Sequence, residues 1–266
     1  MVGRTVAGAR PGELTRTVLP RVGWTLAFVL ATVAVGASLI RYALPEAAHQ
    51  QLVRPLYGDD FTDHQIPRYG AHPVTTFLHV VVGSFVIISG LLQLSSKLRR
   101  RRPRLHRLLG QAHIVAALCA GGSAVAVLWV FPFAGLNEVV PVTFFLVIYV
   151  YSLVAGFVAA RERRYLEHRE WMMRSMGISL GVAAVRLIFV AFLHTVHATQ
   201  YENFGVSMWA GFGVSLLVAE VWVQHTRGDR SIVFDGAEPI PEPVRPTAGD
   251  AELAPDAAAV ARRRVG

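Results

Sequence analysis

Six long apolar runs, at about 22–44, 73–94, 111–131, 139–160, 172–195 and 204–223, dominate this sequence and leave few folds open to it. About 20 apolar residues in helical form cross the hydrocarbon core of a bilayer, because each residue rises only about 1.5 Å. Runs of that length do not carry the periods of a soluble helix or strand. The composition agrees: 53% of residues are hydrophobic and 17% charged, with a mean hydropathy of +0.42. Soluble domains carry about 25% charged residues. These facts exclude a soluble enzyme and a disordered chain. They predict an all-α integral membrane protein with six transmembrane helices.

Basic residues set the expected direction. Of the 26 Lys and Arg, three (Arg41, Arg54, Arg68) fall on one side and Arg186 lies inside the fifth run, so the other 22 share the opposite side. The positive-inside rule then places both termini in the cytoplasm of a multi-pass cell-membrane protein. A net charge of +8 in a soluble protein would point to nucleic acid. Here the basic clusters lie between apolar runs, so the expected partners are the lipid bilayer and anionic lipid at the cytoplasmic loops, and no nucleic acid. Arg21 precedes a stretch longer than a signal-peptide core that runs on to Arg41 and Tyr42, which predicts an uncleaved first helix.

The expected organisation is a cytoplasmic segment over 1–21, a membrane domain over 22–227 and a disordered cytoplasmic tail over 228–266, rich in Pro, Ala and charge. The connection 45–72 is the long outer one. It holds Asp59, Asp60, Asp63 and His64, which read as a solvated acidic turn before a cation site. Gly177 with Gly181, Gly156 with Ala160, and Gly83 with Gly90 mark faces where helices approach closely. The single cysteine, Cys119, excludes an intramolecular disulfide.

Arg186 is the most demanding residue. A central Arg costs about 2.5–3.5 kcal/mol on the insertion scale. It should therefore face the bundle interior and meet carbonyls, water or an anionic group, since no carboxylate stands at its depth. Histidines stand above and below it. At about 100° per residue, His197 falls close to the face of Arg186 and His194 about 80° away, a polar stripe along the outer half of the fifth helix. Two facing imidazoles with a basic group are what b-type haem requires. His79 with His194 is the expected outer ligand pair, His113 with His168 an inner one, and Arg186 the propionate or quinone partner.

His79 with Gly83, Gly90 and Gln93, the stretch Leu105-His106-Arg107-Leu108-Leu109-Gly110, and His168-Arg169-Glu170-Trp171-Met172-Met173-Arg174-Ser175 with Arg186 beyond it form a further pattern. Over 73–193 the chain resembles the bacterial multi-span membrane proteins grouped as domain of unknown function 2306. Where that family has a Gly-Arg pair after the loop histidine, this chain has Gly110-Gln111. The resemblance implies that His79, His106, His168, Trp171, Arg174 and Arg186 act as a set. His106 and His168 would shape a small anionic site at the cytoplasmic mouth, suited to a haem propionate, a quinone head or a lipid phosphate. Three activities are consistent with these residues. One is transmembrane electron transfer or quinone chemistry with b-type haem and a membrane redox partner. The others are transport or lipid handling with an anionic substrate at Arg186, and a structural or assembly role in a membrane complex.

Overall fold

The computed structural model describes residues 11–227, all of whose regular elements are helical. The expected tail and the first ten residues of the expected N-terminal segment lie outside that range. Helix α1 runs Pro11–Ala43 and α2 Glu46–Asp60, followed by a π-helical turn at Phe61–Gln65 and α3 at Ile66–Ala71. The second span begins with α4 (Pro73–Phe77), passes through a second π-helical turn at Leu78–Val82 and continues as α5 (Gly83–Leu94). A short α6 (Ser96–Arg101) leads to α7 (Pro103–Val130), α8 (Leu136–Arg161), α9 (Tyr165–Thr195) and α10 (Gln200–Thr226). Six stretches among them are long and apolar enough to cross a membrane.

Helix boundaries differ from the apolar runs for a physical reason. Apolarity marks hydrocarbon depth, whereas helix length follows caps and breakers. Pro103, whose missing N–H costs nothing in the first turn, starts α7 eight residues before the apolar run. Helix α10 opens earlier than its apolar run, at a capping box. The Thr199 side chain accepts from Glu202 N at 3.2 Å, and Glu202 Oε2 accepts from Thr199 N at 3.0 Å. The connection 45–72, read from sequence as an outer loop, is mostly helix. Gly58, at φ +76°, bends α2 where a side chain would be strained. Arg54 spans the bend and donates to Asp59 at 2.7 Å and Asp63 at 2.6 Å. Asp59 and Asp63 are thus partners of an arginine, and no group of three or more metal-ligating side chains occurs among the described residues.

Helix α9 is the hub, packing most extensively on α10 and α8 and also touching α1, α5 and α2. One core gathers Val86, Phe145, Tyr149, Leu153, Ile178 and Phe212. A second packs Leu30, Ala31 and Ala34 of α1 against Ile87, Met176 and Leu180. Close approach at the α9–α10 seam depends on missing side chains. A Cβ on Gly177 would lie 2.6 Å from Ala219 Cβ, one on Gly181 2.6 Å from the Phe212 ring, and one on Gly211 2.5 Å from Val185 N. Gly156 and Gly90 receive Met172 and Met176, whereas Gly83 meets nothing within 4 Å. No neighbouring side chain or backbone therefore approaches the position a Gly83 side chain would take, unlike the close approach expected for it with Gly90. The outward surface is apolar, with Trp129, Val147 and Leu217 exposed, as lipid contact requires.

Candidate functional site

The site is built at the end of the bundle opposite the basic loops, where the α2–α3 segment closes over the spans. Four hydrogen bonds pin that segment. Gln65 Nε2 donates to the Phe131 carbonyl at 3.2 Å and Arg68 Nη1 to the Pro132 carbonyl at 3.2 Å. Phe61 N donates to Gln200 Oε1 at 3.1 Å, and Thr76 Oγ1 to the Tyr69 carbonyl at 2.7 Å. Beneath it Phe133 and Phe189 are buried against Tyr57, Phe61 and Phe204. The Phe61, Phe133, Phe189 and Phe204 rings pack tilted or edge-on, 5.1–6.0 Å between centroids.

Arg186 enters from α9. It is half-buried, and its Nη1 donates to the Val182 carbonyl of its own helix at 3.2 Å. No carboxylate lies within ion-pair distance of it among the described residues. The nearest buried acid on this side is otherwise engaged: Glu138 Oε2 accepts from Phe133 N at 2.7 Å and Ala134 N at 3.1 Å, closing the turn between α7 and α8. Arg186 is within electrostatic range of His79 and Tyr69. The Tyr69 hydroxyl is pushed above its ordinary range by burial first and the Glu138 charge second, against a hydrogen bond with Gln65 and the charge of Arg186. The His79 ring reaches the Ala120 carbonyl of α7, and its Nδ1 is buried with no partner. Gln65 Oε1 is likewise buried and unpartnered, on a side chain 1% exposed. Each of these two atoms comes from a π-helical turn. Such turns add one residue per turn, swing the following side chains inward and recur at functional sites.

The other expected site residues divide between two places. His194 is exposed in the last turn of α9. The helix ends at Thr195, so His197 lies beyond it, exposed, and the polar stripe predicted along that face stops short. A b-type haem needs two imidazoles facing across one iron. His79 shares the buried neighbourhood of Arg186, while His194 is exposed eight residues farther along α9, about 12 Å by helical rise. That pair does not fit the group.

At the basic end, His113 is 3% exposed. The Ser89 hydroxyl donates to the Val86 carbonyl at 3.2 Å, which leaves its oxygen to accept from His113 Nδ1 at 2.9 Å. His168 Nδ1 donates to the Gly156 carbonyl at 2.8 Å. Its imidazole neighbour is His106 rather than His113, with Arg99 in electrostatic range of both. Gln93 Nε2 donates to the His106 carbonyl at 2.9 Å. Arg174 grips Glu220 with Nε at 2.7 Å and Nη2 at 3.2 Å, and its guanidinium lies 4.6 Å from the centre of the Trp171 ring. Arg227 in turn holds Glu170 at 2.8 Å and 3.0 Å. Arg174, expected among the cofactor-binding set, thus joins α9 to α10, while Trp171, expected there too, packs edge-on against Tyr151 of α8.

The family model described as a predicted membrane protein, DUF2306, matches residues 76–223, more than half of the chain. That span holds Arg186 and His79, and it leaves out Gln65, Tyr69 and the whole of α2 and α3. No curated protein and no solved structure matches.

Proposed function

The chain belongs to the DUF2306 family of predicted membrane proteins, and from that premise we propose that it binds the acidic head of a membrane-soluble ligand at Arg186, as a transporter or lipid-handling protein would. One observation carries this: a half-buried guanidinium within a span spends one donor on its own helix and has no carboxylate to meet. An Arg held in that way costs several kcal/mol unless an acceptor arrives. The Tyr69 hydroxyl offers a further donor beside it, and His79 Nδ1, whose ring partner nitrogen donates to the Ala120 carbonyl, offers an acceptor. The unpartnered Gln65 carbonyl offers an acceptor to a ligand hydroxyl. The head would sit among these groups, and its chain would leave past the aromatic rings toward lipid.

Electron transfer through b-type haem draws less support, because its expected outer ligands are separated by burial. A quinone head remains compatible with Arg186 and Tyr69 as donors to its oxygens. In this proposal the basic face is cytoplasmic and meets anionic lipid through Arg99 to Arg102, and both termini lie on that side of the cell membrane. A reporter fused after residue 266 that is active only outside the cytoplasm should stay silent; a signal from it refutes that orientation.

The ligand proposal is tested by thermal unfolding of the detergent-purified protein with oleate or oleyl alcohol, which share a chain and differ in charge. Oleate should raise Tm by several degrees, the alcohol should not, and Arg186→Gln should remove the difference. Equal shifts from the two, or an unchanged oleate shift in the variant, overturn the proposal.

A further inference from the structure

Two of the five buried side-chain nitrogens and oxygens without partners among the described residues belong to neighbouring residues that the proposed Arg186 site does not use. They are Arg41 Nε, in the last turn of α1, and His49 Nδ1, in the first turns of α2. His49 is 8% exposed. Glu46 stands between them, one turn before His49, and is open to the surroundings. His49 lies within electrostatic range of both Arg41 and Glu46, which meet in a niche over Gly70. A side chain starting there would meet Glu46 Oε2 at 2.6 Å and Arg41 Nη2 at 3.8 Å. Glycine therefore leaves the room over it to the Glu46 carboxylate. Although Arg41 and Glu46 face the same small space, no ion pair joins them. His49 senses both charges, its pKa lowered by burial first and by Arg41 second, against Glu46.

A lone anion would be opposed by Glu46, and a lone cation by Arg41. A ligand that carries both charges a few ångströms apart satisfies each. The place selects the source of such a ligand. The first span ends at Ala43, so Arg41, Glu46 and His49 stand at the headgroup level. The outward face of α2 carries a broadly open, largely apolar depression of about 410 Å³ lined by Leu44, Ala48, Gln51 and Leu52, against which an acyl chain can lie.

We propose that the niche of Arg41, Glu46, His49 and Gly70 binds the headgroup of a zwitterionic phospholipid with a primary amine, its acyl chain lying along Leu44 and Leu52. Arg41 Nε and the His49 ring meet the phosphate oxygens, and Glu46 accepts from the ammonium. A trimethylated amine has no N–H to give Glu46, so phosphatidylethanolamine is bound in preference to phosphatidylcholine. No group here belongs to the Arg186 site or to the residues matched by the family model.

Native mass spectrometry of the delipidated full chain, titrated with the two lipids bearing identical acyl chains, tests this. Phosphatidylethanolamine should bind about tenfold more tightly. Glu46→Gln, close to isosteric and open to solvent, should bring the two lipids level, and Arg41→Gln should weaken both. Arg186→Gln should leave the preference intact, which separates this site from the other one. Free phosphoethanolamine at millimolar concentration should fail to displace the lipid. Equal binding by wild type, a preference that survives Glu46→Gln in protein with unchanged Tm, or full displacement by the soluble headgroup would each overturn the proposal.

Discussion

His49 titrates in a setting that raises the cost of its charge. Burial and the Arg41 guanidinium outweigh Glu46, so its folded pKa lies below the ordinary 6.5. The sign follows from linkage. The unfolded chain takes up the proton more readily, so the contribution is intact above pH 6.5 and is lost as pH falls below it toward the folded value. Amides of α2 should therefore exchange faster at pH 5.5 than at pH 7.5, after correction for intrinsic rates, and His49→Gln should flatten the difference. The same pH response in the variant would contradict this. Sequence reasoning singled out Arg186 because a charge in an apolar run is visible without coordinates. It overlooked His49, Tyr69 and Gln65, which stand in a polar stretch where nothing marks them as buried. It also grouped Arg174 with the binding residues, because its Glu220 partner is 46 positions away on another helix.

At the scale of elements, the spans were legible because their length is dictated by the bilayer. The outer helices were not. Their sequence has Pro45, Pro55, Gly58 and Pro67 in 23 positions, which reads as a broken loop, whereas Gln65 and Arg68 tie it to the turn after α7 by hydrogen bonds that the sequence does not display. The π-helical turns were equally hidden, since an extra residue in a turn leaves no compositional trace. The GxxxG of Gly177 and Gly181 named a real interface, yet the tightest approach on that seam is Gly211 to the Val185 backbone. That contact depends on how two helices align, which one helix alone does not reveal. Gly211→Ala should force the helices apart and lower stability by about 1–3 kcal/mol. Gly83→Ala, with open space around it, should be neutral or slightly stabilising. Thermal unfolding of both variants in the same detergent reads the contrast, and an unchanged Tm for Gly211→Ala would show that the seam is loose.

For the whole molecule, the six-helix bundle has an ionic lock at one end and an aromatic, hydrogen-bonded roof at the other. Arg174 with Glu220 and Arg227 with Glu170 fasten the ends of α9 and α10 on the basic side. On the opposite side the α2–α3 segment covers Arg186, His79 and Glu138. Such an arrangement fixes α9 at its base and leaves its polar residue facing a space closed by groups that the family match does not include. The ligand's head would accordingly be read by residues of the shared core, and its finer shape by Gln65 and Tyr69 of this chain. The most direct test compares the oleate-induced rise in Tm across wild type, Arg186→Lys and Arg186→Gln. The account predicts that lysine, which keeps the charge, retains part of the rise and glutamine none; a rise that is the same in all three would contradict it.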